Sequence, residues 1–427
     1  MQSAPNAVPG KPRTSLLAII GPGLLLAATG VGSGDLATAS IVGGMLGVGV
    51  LWAVLVGALL KFVVTEGLTR WQLASGETLL EGMVRRVGPI VVWLFLPYLI
   101  LWSFFVGSAQ MSASGVTLHA MFPVFADARD GKIVFGIAAG LTGLAIVWRG
   151  GYRAFQLAMR ACIALMFATT VLTAAILWPG TLPILKGLFV PTIPQLTAEG
   201  VVWTVALIGG IGGTLTVLCY GYWLREEGRT GVEHLRDCRL DLGMSYVMTA
   251  IFGIAMVIVG TSIQVEGEGT QLLVRLSDRL GQELGWPGRA LFLLGTFGTV
   301  FSSLLGVWQA VPYLFADCWQ LVRNGPARIA HDTSPRDTVD TRSKPYRTYL
   351  LLLAFVPMLG LFTSFREVQK LYTVLGALFF PLLAIALLIC NTRWINARYK
   401  NKPATLLALF GVLALFVWIA VKGIRVV

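Results

Sequence analysis

Eleven stretches of this sequence are apolar over about 18–35 residues each: about 15–46, 48–68, 88–122, 132–149, 154–178, 200–224, 240–264, 286–320, 346–364, 371–391 and 404–421. About 20 apolar residues in a helix span the hydrocarbon core of a bilayer. Inside lipid a helix satisfies every backbone N–H and C=O within itself. A soluble fold of this length needs about a quarter of its residues charged to wet its surface, and here only 13% of 427 residues are. The chain is therefore predicted to be an all-α integral membrane protein with about eleven transmembrane helices. The first, third and eighth stretches exceed one crossing, so each must tilt, break or extend beyond the bilayer.

The net charge of +12 would suit a nucleic-acid binder, but the basic residues lie in short loops between apolar spans. Arg70, Arg85 and Arg86, then Arg149, Arg153 and Arg160, then Arg323 to Arg347, and finally Arg393 to Lys402 fall on alternate loops. Glu266, Glu268, Asp278 and Glu283 fall on the opposite side. By the positive-inside rule the N-terminus is cytoplasmic and the C-terminus outside, in a plasma (inner) membrane. No nucleic-acid partner is expected; membrane lipid is. Residues 1–14 read as a polar cytoplasmic tail without a signal peptide, and 15–427 as one transporter domain. Within it about 324–346 reads as a flexible cytoplasmic loop, and 270–285 as a short outer helix. Cys162, Cys219, Cys238, Cys318 and Cys390 are scattered without metal-site or disulfide spacing.

Glycine interrupts two of the spans. The first contains Gly30-Val31-Gly32-Ser33-Gly34-Asp35, and the sixth contains Gly209-Gly210-Ile211-Gly212-Gly213-Thr214. A broken helix frees backbone groups that lipid cannot satisfy, so such a break belongs around a polar cavity or in the protein interior. Spans one to five (about 15–178) and six to ten (about 200–391) would be two repeats, with 404–421 an additional helix. Breaks at corresponding positions of two repeats point to a transport site at the midplane; close packing through small residues is the plainer explanation of either run alone. Asp35 is a carboxylate inside an apolar span, which suggests an ion or substrate pathway. It would serve equally as a cap for the half-helix after the break.

These residues resemble the Nramp family of proton-coupled divalent-metal transporters. The resemblance runs through Gly21-Pro22-Gly23, Leu36-Ala37-Thr38, Leu51-Trp52, Ala290-Leu291-Phe292 and Gly295, and covers nearly the whole chain. It implies a LeuT-like inverted-repeat fold with metal ligands on broken helices one and six. The family's Asp-Pro-Gly-Asn signature falls on Gly32-Ser33-Gly34-Asp35, and its Met-Pro-His on Val217-Leu218-Cys219. Its acidic pair in the third helix falls on Gly107 and Gln110. The soft thioether and the imidazole are thus replaced.

The expected function is secondary active transport, a symport, of a small inorganic ion by alternating access. Gly32, Ser33, Gly34 and Asp35 would face Thr214, Thr216, Val217, Cys219 and Tyr220, with Gln110 a cavity residue and Asp35 the metal ligand. Carboxylate, hydroxyls and freed carbonyls suit a partly hydrated hard cation such as magnesium, with manganese the family's precedent. Exposed amides and helix N-termini would instead suit a bicarbonate-like anion or a carboxylate. A non-transporting sensor of the same fold is the third reading. A proton or other ion is the coupling partner, and no cofactor is expected. No nucleophile–base arrangement or zinc-protease motif is present, so no enzyme is expected. Lys61 and Glu66 read as side chains reaching for the cytoplasmic interface, and Asp317 as a partner for a loop arginine or a residue of the exit route.

Overall fold

The computed structural model describes residues 21–194, 197–262, 270–331 and 339–423, and every regular element among them is helical. The tail 1–14, Glu266 and Glu268 lie outside the described residues.

The first span is two helices, α1 (Pro22–Gly30) and α2 (Ser33–Leu46). Next come α3 (Leu51–Ser75), the short α4 (Leu79–Val87) and α5 (Ile90–Met121). α4 starts on a reciprocal cap: Thr78 Oγ1 accepts from the Glu81 N–H at 3.1 Å, and Glu81 Oε2 accepts from the Thr78 N–H at 2.7 Å. α6 (Ala128–Ile176) holds the fourth and fifth spans, folded at Gly151, whose φ of +60° lies in the left-handed region. After α7 (Thr181–Phe189) the sixth span is again broken: α8 (Ala198–Gly210), a tight turn at Leu215–Cys219, then α9 (Tyr220–Glu226). α10 (Leu235–Gly260), α11 (Thr270–His331), α12 (Lys344–Phe355), α13 (Phe365–Arg393) and α14 (Pro403–Gly423) complete the chain.

Eight of the described helical segments are long and apolar enough to cross a membrane. Gly47 (φ +64°) and Gly151 each divide one of these into two, and α14 adds a shorter apolar helix, which accounts for the eleven spans read from sequence. The short outer helix expected at 270–285 is the first arm of α11, which turns at Gly285 (φ +72°). The loop expected over 324–346 is shorter than its composition suggested: α11 runs to His331, α12 begins at Lys344, and 332–338 lie outside the described residues.

Two groups of helices pack around the breaks. α10 lies against α2 and α3, and α8 against the same pair, while α11 packs on α5 and α6 and also touches α1. Small residues allow close approach: a Cβ on Gly43 would sit 2.1 Å from the Val257 carbonyl oxygen, and one on Gly115 2.1 Å from that of Lys132. Trp71, Trp102, Trp223 and Trp308 fill the interior, each under 2% exposed.

Candidate functional site

Where a helix breaks inside a membrane, its orphaned backbone groups must find partners. At the first break they do so across the molecule. The Ala28 and Thr29 carbonyls accept from Ser302 Oγ (3.1 Å) and Ser303 Oγ (2.9 Å) on α11. The Ser33 N–H donates to Gln110 Oε1 on α5 at 3.3 Å, and Ser33 Oγ donates to Gln369 Oε1 on α13 at 2.9 Å. The Gly32 N–H donates to Asp35 Oδ2 at 3.1 Å. Gly32 has no side chain to complete the cap, so Asp35 supplies the only side-chain half of it.

At the sixth break Gly212 and Gly213 adopt φ of +85° and +80°, which glycine reaches without steric cost. The Gly212 N–H donates to Asp35 Oδ1 at 3.1 Å. One carboxylate therefore ties both breaks together, so its capping role and its place at the site are a single arrangement. The Gly213 carbonyl accepts from the Lys61 ammonium, which also lies 4.0 Å from the centre of the Phe380 ring. Lys61 is only 2% exposed, and its charge and that of Asp35 act on each other. Sequence placed Lys61 at the interface; it is instead a buried cation beside the break, because α3 continues to Ser75 and leaves Lys61 about 21 Å from its end.

A cavity of ≈ 410 Å³ opens on the α2 and α8 side of the breaks. Gly34, Asp35, Gly213 and Thr214 line it, with Trp203 on α8 and Gln369, Tyr372 and Thr373 on α13. The structure thus brings Gly34, Asp35 and Thr214 to the cavity, with Gly32 and Ser33 immediately behind and Gln110 bonded to Ser33. Thr216, Val217, Cys219 and Tyr220 are all at most 3% exposed and none lines this cavity, although Thr216 Oγ1 faces the break, 2.7 Å from where a Cβ on Gly213 would stand. Tyr220 donates to Asp241 at 2.9 Å on the opposite side. Lys61 and Gln369 belong to the site and were missed. Gln369 gives no local signal, since its contact with Ser33 spans 336 residues.

The opposite side is closed around Asp241 on α10. Its carboxylate accepts from the Gly21 N–H (3.2 Å), the Gly23 N–H (2.8 Å) and Tyr220 Oη, holding the start of α1 against α9. Arg229 stands 3.8 Å from Asp241 and pairs with Glu227 at 2.9 Å, and Gln156 donates to Glu227 at 3.3 Å. Burial pushes the Glu227 carboxyl above its ordinary range despite the nearby Arg229. Asp317 accepts from Tyr222 Oη (2.6 Å) and Thr78 Oγ1 (3.3 Å), and Glu66 pairs with Arg239 (2.7 Å) and Arg70 (3.4 Å).

The positions that carry the family's acids in the resemblance are physically filled. A Cβ on Gly32 would stand 2.6 Å from Gln110 Nε2 and 2.8 Å from Ser303 Oγ, and one on Gly107 2.7 Å from Pro357 Cγ. Among the described residues no three His, Cys, Asp or Glu side chains gather to hold a metal ion. Gly32→Asp alone is accordingly expected to cost about 1–3 kcal/mol of stability through overpacking. Gly32→Asp with Gln110→Ala should recover only part of it, since Ser303 still crowds the position and the Ser33 N–H loses its acceptor. Thermal unfolding followed by tryptophan fluorescence reads this out, and an unshifted midpoint for the single variant would show that Gln110 and Ser303 give way freely.

Residues 23–425 match the model of the natural resistance-associated macrophage protein-like family. The divalent metal cation transporter MntH of Chromohalobacter salexigens is 26% identical over 257 residues, 59% of this chain. The aligned stretch spans 57% of the length of that curated relative. Among solved structures, the manganese transporter of Eremococcus coleocola superposes with a TM-score of 0.72 at 16% identity, covering 96% of this chain and 87% of its own. Mhp1, a nucleobase-cation-symport-1 family transporter, superposes at 0.58 with 13% identity, covering 94% and 93%. The fold is LeuT-like, with helices one and six broken at the centre.

Proposed function

The chain belongs to the Nramp family of membrane transporters, and from that premise we propose that it is a secondary transporter of a small inorganic ion, bound in the cavity between α2, α8 and α13 and released by alternating access. The observation that carries this reading is Asp35, which lines the cavity and holds the two breaks together. A ligand that draws on its carboxylate acts on both hinges at once. The positive-inside pattern puts the N-terminus in the cytoplasm of a plasma-membrane protein, with the cavity facing out. A proton or another ion moving in symport is the coupling partner that kinship supports.

Kinship also supports a divalent cation as cargo, since the curated relative is named for divalent metal cations and the solved neighbour for manganese. Asp35 and the Thr214 hydroxyl are hard oxygen donors, and the cavity is large enough for an ion that keeps several waters. That set suits magnesium over a softer metal.

A small anion such as bicarbonate is the second reading, and a specific observation favours it. The amide groups of Gln110 and Gln369 spend their oxygens on Ser33, which leaves Nε2 of each buried without a partner among the described residues. With the Lys61 ammonium behind Gly213, these amides add donors to a site whose Thr214 and Thr216 hydroxyls can also donate. Donors bind anions and repel metal ions.

Uptake into proteoliposomes under an imposed gradient, comparing magnesium, manganese and bicarbonate with internal pH recorded, tests both. Cation uptake that Asp35→Asn abolishes supports the first reading. Bicarbonate-dependent alkalinisation without cation uptake supports the second. No flux of any of them in a folded protein would overturn both in favour of a sensor.

A further inference from the structure

Away from the breaks, the fold at Gly151 joins two spaces of opposite character. One is a polar cavity of ≈ 450 Å³ between the α6 fold, α11 and the start of α12, lined by Trp148, Arg149, Tyr152, Arg342, Tyr346 and Arg347 among others. Among the described residues three arginines line it and no carboxylate does; the nearby Asp340 accepts from the Arg342 backbone N–H at 2.8 Å. The Arg347 guanidinium lies 5.0 Å from the centre of the Trp148 ring, which fixes its position. The other space is a groove of ≈ 570 Å³ between the two arms of α6, lined almost wholly by apolar residues such as Ala145, Ile146, Ala154, Leu157 and Ala158. Arg149 lines both.

We propose that this pair of spaces is a binding site for one anionic phospholipid, its phosphate held by Arg149, Arg342 and Arg347 and an acyl chain lying in the groove between the arms of α6. The position fits, because the chain reverses at Gly151 between two crossings and so places the arginines at the membrane boundary. Guanidinium groups bind phosphate through paired N–H donors. A basic pocket between spanning helices is the arrangement that takes anionic headgroups. The adjoining groove distinguishes a lipid from free phosphate, which would leave it unused. The cavity wall also reaches the broken sixth span: Gln309 accepts from Trp223 Nε1 at 2.7 Å, and Tyr313 Oη donates to Glu226 at 2.6 Å. A bound lipid therefore braces α11 and α12 against α9 while that side is closed.

Native mass spectrometry of the full chain in detergent, titrated with phosphatidylglycerol or phosphatidylcholine, tests the site. Phosphatidylglycerol should be retained at least tenfold more tightly than phosphatidylcholine. Arg342→Gln with Arg347→Gln should erase that preference, and Ala158→Trp should weaken phosphatidylglycerol binding by obstructing the groove. Equal retention of the two lipids, or undiminished preference in the arginine double variant, would overturn the proposal. So would displacement of phosphatidylglycerol by millimolar inorganic phosphate with no effect of Ala158→Trp, which would mark a site for the free anion. Correctly folded variants are identified by monodisperse elution before titration.

Discussion

Asp35→Ala is expected to abolish uptake of the transported ion and to destabilise the protein by roughly 2 kcal/mol, the lower end of what stranding two backbone donors at about 1–3 kcal/mol each costs. The lower end applies because the cavity brings water to one side of the carboxylate. The substitution strands the N–H groups of Gly32 and Gly212 together and leaves the Lys61 ammonium without its counter-charge. Asp35→Asn separates structure from transport: its amide oxygen still accepts from one of the two N–H groups, so the protein should fold while uptake falls at least a hundredfold. Asp35→Asn combined with Lys61→Met should raise the unfolding midpoint above that of Asp35→Asn alone, since the isolated ammonium is removed. Wild-type flux through Asp35→Asn would show that the negative charge is dispensable. Unchanged uptake in both Asp35→Ala and Thr214→Val would remove the cavity from the transport path.

The second large effect belongs to the opposite side. Asp241→Ala removes the acceptor shared by the Gly21 N–H, the Gly23 N–H and Tyr220 Oη, and frees Arg229 from its second carboxylate. Each stranded buried donor costs about 1–3 kcal/mol, and opening that side to water relieves the cost, so the variant should favour the open form. Cys238 is a built-in reporter: it is wholly buried, and its carbonyl accepts from Tyr220 Oη at 3.4 Å. In a chain whose other four cysteines are replaced by alanine, Asp241→Ala should raise the labelling rate of Cys238 at least tenfold. Unchanged labelling in a folded variant would mean that apolar packing, rather than this carboxylate, holds α1 in place.

The spans and both breaks were legible because each rests on local physics. An apolar run has one way to sit in lipid, and paired glycine runs have few reasons to recur at matching places. Asp35 was legible for the same reason, as a carboxylate inside an apolar span, although capping alone could have explained it. The rest of the site was not, because its logic is long-range. Lys61 precedes Glu66 and Arg70 in what reads as a polar helix end, and nothing local shows that its carbonyl partner lies 152 residues away. Gln369 sits in an ordinary stretch of α13 and becomes relevant only where that helix passes Ser33. Thr216, Val217, Cys219 and Tyr220 follow the sixth break so closely that sequence assigns them to the site. The tight turn at Leu215–Cys219 keeps them out of the cavity, with Thr216 against Gly213 and Tyr220 on Asp241, an arrangement that no spacing rule supplies.

The left-handed pair Gly212 and Gly213 has a bearing on how such a protein changes cargo over generations. A side chain on either would be strained, and its Cβ would meet Tyr246 at 3.2 Å or Gly30 at 2.8 Å. The hinge is therefore a fixed mould, closed to tinkering. The groups that set the charge and donor balance around it, Lys61, Gln110 and Gln369, are carried on three other helices and can be exchanged one codon at a time. Selectivity can drift in single steps across such an architecture while the moving parts stay as they were.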